Sequence, residues 1–166
     1  MTPQKAFDQY HEAVYRFAYR LTGRPDLAED ITQECFLVLV RSPQRYDPAR
    51  AGMKTFLFAI ARNLALKEHR DYGGEQALDD ADIPAATVPR ESLEVSSAVA
   101  AAVAALPQLQ REALILFEYE GVTIEEIAEI VAANVGTVKS RLHRARERLR
   151  RALAPYRNVG NTHGTV

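Results

Sequence analysis

Lys139, Ser140, His143 and Arg144 are the side chains of this sequence whose types and spacing point most directly to a chemistry. At about 100° per residue they share one side of a helix, opposite an apolar stripe of Val138, Leu142, Ala145 and Leu149. Cationic, hydroxyl and imidazole groups on one helical face match the donors and acceptors of base edges in the major groove. Thr137, Arg141, Arg146 and Arg148 flank them as candidates for phosphate contact, which positions a helix without reading sequence.

The surrounding elements must present that face. Ile124, Ile127, Ala128 and Val131 predict a short amphipathic helix, with Thr123 and Glu126 in a capping-box pattern. Ala132 to Asn134 leaves room for a tight turn, and Asn134 can cap the helix that follows. Two helices joined in this way, the second basic on its outer face, read as a helix-turn-helix. Charge supports that reading over an ordinary helical hairpin. Residues 135–157 carry a balance of +7 and residues 110–134 one of −5, so sign is sorted by element rather than mixed along a face.

A second chemistry lies upstream. Residues 41–70 carry a balance of +5 together with Tyr46, Phe56 and Phe58. Cations for a backbone and rings for stacking suit an unpaired strand, where stacking contributes about 1–3 kcal/mol per base. Phe56 and Phe58 cannot both face the same way on one helix, so at least one of them belongs to the core. The loop near Asp47 to Lys54 is a candidate pocket for an extruded base. A third candidate is the polar face of Asp30, Gln33 and Glu34 beside apolar Ile31, Cys35 and Leu39, which suits a protein partner.

The chain of 166 residues is long enough for two small domains, and its 47% hydrophobic content permits a packed core. The net charge of −1 gives no hint of nucleic-acid binding; the sorted local charge carries that signal. Cys35, alone in the chain, cannot form an internal disulfide and reads as a small core hydrophobe in a reducing compartment. The N-terminus has no signal-like apolar region, and the run from Ala98 to Leu106 is too short to span a bilayer. A cytoplasmic location is expected. The four His are scattered, with neither HExxH nor a Cys-His cluster, so catalytic residues, metal and cofactor are expected to be absent.

Strand signals are missing, and the remaining pattern is helical. The first helix is predicted over Gln4 to Leu21, with Phe7, Tyr10, Val14, Phe17, Ala18 and Leu21 on one face and Gly23 as its stop. Pro25 can open a second helix, about Asp26 to Arg41, which Ser42-Pro43 ends. A third spans roughly Met53 to Arg70, with Phe56, Leu57, Ile60, Ala61 and Leu64 on its apolar face. From Asp71 to Glu94 the balance is −6, with Gly73-Gly74, Pro84 and Pro89 as breakers, and the stretch reads as a flexible linker. Helices are then expected over Leu93 to Leu106 and from Pro107 to about Tyr119, and a disordered tail after Arg157.

Read in order, these stretches resemble a bacterial RNA polymerase sigma factor of the extracytoplasmic-function group. AEDITQECFLVL (Ala28 to Leu39) resembles the family's helix that docks on the clamp helices of the polymerase. RYDPARAGMKTFLFAIARNLA (Arg45 to Ala65) is similar to its promoter-melting loop and helix, and Leu106 to Leu149 to its region four. One departure is Phe56, where the family usually has Trp: the ring is kept and the indole N–H is lost. The resemblance implies an all-α chain of two small helical domains: a region-two-like domain (1–72), a flexible acidic linker (73–92), a region-four-like helix-turn-helix domain (93–157) and a disordered tail (158–166). It also implies that Asp30, Gln33 and Glu34 bind polymerase core, and that Arg50, Lys54, Phe56, Phe58, Arg62 and Asn63 contact the melted, downstream promoter element. The helix-turn-helix would read the upstream element. Implied partners are the clamp helices and flap of the core enzyme, promoter DNA and an anti-sigma factor, with no small-molecule substrate and no covalent chemistry. The rivals are a stand-alone helix-turn-helix regulator with an N-terminal ligand-binding or dimerisation domain, and a helical adaptor without a DNA role.

Overall fold

A computed structural model describes residues 1–71 and 95–156. The expected linker and tail lie outside the described residues. Seven α-helices and no strands are found among the described residues: α1 (Pro3–Thr22), α2 (Pro25–Arg41), α3 (Met53–Asp71), α4 (Val95–Ala104), α5 (Gln108–Leu114), α6 (Ile124–Val131) and α7 (Val135–Ala152). Helices α1 to α3 pack on one another, α5 and α6 pack on α7, and α3 lies against α6.

Local chemistry sets the boundaries. Thr2 caps α1 by accepting from the Lys5 N–H, and Gly23 ends it in the left-handed region at φ 71°. Pro25 opens α2, whose last carbonyls meet the Ser42 N–H before Pro43 starts a short 3₁₀ turn. Helix α5 continues into a π-helical turn, Ile115–Tyr119, in which the Glu120 N–H reaches back to the Ile115 carbonyl at 3.1 Å. Sequence periodicity predicts one continuous helix here; the wider turn adds a residue and re-aims Phe117, Glu118 and Tyr119.

The core of the first bundle is Val14, Phe17, Ala18 and Leu21 of α1 against Ile31, Cys35 and Leu39 of α2 and Leu57, Phe58 and Ala61 of α3. Burying side chains of this size contributes about 1.5–3 kcal/mol each. Cys35 is fully buried with its thiol toward the Leu57 carbonyl, as expected of a small core residue. Phe7, expected in the core, is instead 39% exposed. Ala6 and Ala13 take the inward positions of that face, and Phe7 stacks on His11 and meets Phe36 edge-on at the rim. Buried residues of both bundles belong to one connected cluster.

Candidate nucleic-acid interface

The helix-turn-helix forms as its caps require. Thr123 Oγ1 accepts from the Glu126 N–H at 3.2 Å, and Asn134 Oδ1 accepts from the Thr137 N–H at 2.8 Å. Between them Ala132 makes the turn in the left-handed region, at φ 52°, a strained place for a residue with a Cβ. Val138, Leu142 and Ala145 are buried against α5 and α6, with Leu149 half-buried. That packing leaves Lys139, Ser140, His143 and Arg144 exposed on the outer face of α7.

The flanking cations divide. Arg146 is exposed, pairs with Glu118 at 3.1 Å and lies over the Phe117 ring. Thr137 and Arg148 are half-buried. Arg141, expected at a phosphate, is turned inward: its Nε and Nη1 are buried without a hydrogen-bond partner, and its charge acts on Glu112. It shares the inward side of α7 with Val138 and Leu142, which periodicity alone already implies.

The strand-binding candidates are placed differently. Phe58 has no exposed surface; its ring packs 5.1 Å from that of Phe17, so it is a core residue and not a stacking platform. Phe56 is half-buried beside Tyr46 at 5.3 Å, and Asn63 is exposed. Arg62 forms a bidentate pair with Glu112 of α5, Nε to Oε2 at 2.9 Å and Nη2 to Oε1 at 3.0 Å. With its side chain 11% exposed and both nitrogens of its fork on Glu112, Arg62 has little surface to offer a nucleic acid in this arrangement. Lys54 Nζ donates to the Glu120 carbonyl at 3.2 Å, and Arg50 lies 3.9 Å from Glu129 of α6. The loop at 50–55 forms one wall of a cleft whose other wall carries Glu125, Glu126 and Glu129.

Further contacts tie the bundles together. Arg111 of α5 donates to the Leu21 carbonyl at 2.7 Å, satisfying an orphan acceptor at the end of α1. Glu120 faces Arg16 and Arg20 of α1 at 3.4 and 3.6 Å. Burial pushes the Glu112 carboxyl up from its ordinary range, against the pull of Arg62. The opposed charges of 41–70 and 110–134 are the sequence signal for this contact; read as two separate footprints, they conceal it.

On α2, Asp30 and Gln33 are exposed and Glu34 is half-buried. Leu37 and Val40 stand exposed with them, at 39% and 59%. Gln33, Leu37 and Val40 fall at i, i+4 and i+7, so the face is amphipathic rather than polar. Sequence reading assigns these two residues to a generic apolar run and misses them. No group of His, Cys, Asp and Glu able to hold a metal ion occurs among the described residues.

Two family models match this architecture: Sigma-70 region 2 over residues 6–74, and Sigma-70, region 4 over residues 96–149. A helical bundle followed by a helix-turn-helix, matched to both regions in order, defines a sigma factor of the sigma-70 class. The chain is 37% identical over 156 residues to ECF RNA polymerase sigma factor SigE of Mycolicibacterium smegmatis, covering 89% of this chain and 60% of that protein. It is 34% identical over 163 residues to ECF RNA polymerase sigma factor SigW of Bacillus subtilis, covering 88% and 86%. The sigma factor RpoE of Bartonella quintana, solved in complex with the anti-sigma factor NepR, superposes with a TM-score of 0.72 at 29% identity, covering 91% of this chain and 96% of that one. The chain belongs to the extracytoplasmic-function sigma factors, promoter-specificity factors of transcription initiation.

Proposed function

We propose that this chain binds RNA polymerase core through α2, reads an upstream promoter element with α7 and assists opening of a downstream element with the segment from Arg50 to Asn63. The observation that carries the reading is the exposed face of Lys139, Ser140, His143 and Arg144 on a helix capped by Asn134. Its side chains have the reach and chemistry for base edges, and the buried opposite stripe fixes their orientation. Arg146 and Arg148 supply phosphate contacts. On α2, Asp30 and Gln33 with Leu37 and Val40 form an exposed mixed face suited to a helical, partly basic partner such as the clamp of the core enzyme. The working units are residues 1–72 and 93–157.

The protein does no covalent chemistry of its own: it lends specificity and binding energy to the polymerase. It acts in the cytoplasm; among the described residues no helix is long and apolar enough to cross a membrane. An anti-sigma factor is its proposed regulator, supported by the complex in which the Bartonella relative was solved. Run-off transcription with purified core enzyme over a promoter library tests the reading. Initiation that depends on both the added protein and template sequence is expected. Failure to associate with core would overturn it.

A further inference from the structure

Glu112 of α5 has no exposed surface and is acted on by three guanidinium groups: Arg62 of α3, Arg141 of α7 and Arg111 of its own helix. Arg111 is committed elsewhere, donating to the Leu21 and Leu106 carbonyls at 2.7 and 2.8 Å. Arg62 takes both oxygens of the carboxylate in its fork, which fixes the plane of that group. Arg141 is left with Nε and Nη1 buried and without a hydrogen-bond partner. Buried donors that make no hydrogen bond carry their desolvation cost without return. They are set to take an acceptor when one is offered, and the buried carboxylate on which Arg141 acts is Glu112.

The place of Arg141 on α7 gives such an exchange a consequence. Val138, Leu142 and Ala145 seat the helix on α5 and α6, and apolar burial is non-directional, so it does not fix the rotation of α7 finely. A guanidinium fork on a carboxylate is directional. Arg141 stands within one turn of Lys139, Ser140, His143 and Arg144, so holding it holds them. We propose that Arg141 is a positioning residue for the reading face of α7, acting through Glu112, and that Arg62 competes with it for that carboxylate. The proposal rests on the base-reading role given above to α7. While Arg62 holds the carboxylate, Arg141 goes without its fork. When Arg62 lets go, Glu112 turns to Arg141 and α5 grips the reading helix directly. Arg62 thus sets how sharply α7 discriminates among duplexes, by way of a carboxylate on a third helix.

The test uses the full-length protein, Arg62→Ala, Arg141→Lys and the double variant; lysine at 141 keeps the charge and loses the fork. Arginine Nε–H resonances in proton–nitrogen spectra report hydrogen bonding at Arg141. Fluorescence anisotropy gives affinity for a duplex selected from a randomised pool with the parent protein and for a scrambled duplex of the same composition. The ratio of the two is the discrimination. In Arg62→Ala the Arg141 resonance should move downfield and exchange more slowly with water. Discrimination should rise by up to about tenfold, the worth of one charge-assisted hydrogen bond. A general effect of removing a cation would instead lower both affinities. Arg141→Lys should cost more discrimination in the Arg62→Ala background than in the parent. Arg62→Lys, which keeps the charge without the fork, should show part of the gain and serves if the alanine variant folds poorly. An unmoved Arg141 resonance in both Arg62 variants overturns the exchange. A moved resonance with unchanged discrimination, or additive effects of the two substitutions, overturns the positioning role. A parent protein that enriches no sequence overturns the reading role of α7 and the proposal with it.

Discussion

Arg62 and Glu112, fifty positions apart in sequence, share two parallel hydrogen bonds at 2.9 and 3.0 Å and join α3 to α5. The geometry is that of a guanidinium fork on a carboxylate, which Lys could not reproduce at position 62.

Titration of Glu112 follows from its burial. Its folded pKa is raised above the ordinary 4.5 by desolvation. A raised value means that the folded protein binds the proton more tightly than the unfolded chain. The contribution to stability is therefore present below 4.5 and is lost as pH rises through the folded value. Glu112→Gln cannot titrate and keeps an acceptor for Arg62. Its melting temperature relative to the parent should rise from about pH 4 to about pH 7, read by differential scanning calorimetry. A constant difference across that range would refute the assignment.

Cys35 provides a probe of the first bundle. Burial pushes its thiol up to about 12, so the reactive thiolate is scarce at neutral pH and sterically shielded. A thiol reagent should leave the native protein unlabelled and modify it at the rate of unfolding. Rapid stoichiometric labelling without denaturant would mean that α2 opens locally from α3.

Phe58 and Phe56 separate packing from exposure. Truncating the fully buried ring, Phe58→Ala, should destabilise the protein by about 3–5 kcal/mol in urea melts. Phe56→Ala, at a half-buried ring beside Tyr46, should cost clearly less. Equal losses would show that the two rings are packed alike.

Much of this fold was legible because its signals are local. Thr123, Asn134, Gly23 and Pro25 announce caps and stops from their own chemistry, and the apolar stripe of α7 places its reading face by periodicity alone. What stayed hidden depends on non-local contacts. Arg62 lies at the flank of α3's apolar stripe, and its own helix says nothing of Glu112. Phe58 sits off that stripe and is buried because Phe17 comes from another helix. Leu37 and Val40 look like core residues in a run of hydrophobics until the packing of α2 on α1 and α3 leaves them outside. The π-helical turn at Ile115–Tyr119 has no periodic signature at all.

The exposed stripe of α2 should carry the grip on polymerase core. Leu37→Asp and Val40→Asp place charge where an apolar partner surface would be desolvated, and neither position supports the fold from within. Each should weaken core binding by more than 1 kcal/mol, the range of residues that matter at interfaces, with helical content by circular dichroism unchanged. Undiminished association by co-purification and titration calorimetry would remove this face from the proposed interface.

The reading face of α7 allows the sharpest discrimination, because its neighbours differ in role on one helix. Lys139 and Arg144 are exposed on the side away from the buried Val138, Leu142 and Ala145. If they make bidentate contacts to base edges, Lys139→Ala and Arg144→Ala should each cost about 1–3 kcal/mol on the preferred duplex and relax the sequence preference. Arg146 is held by Glu118 and the Phe117 ring at the edge of that face, where a phosphate would be met. Arg146→Ala should weaken all duplexes alike and reduce the slope of log affinity against log salt by about one. Selecting bound sequences from a randomised duplex pool, then titrating salt on the winners, measures both properties. Uniform losses for Lys139 and Arg144 would reassign them to phosphates and leave Ser140 and His143 as the readers.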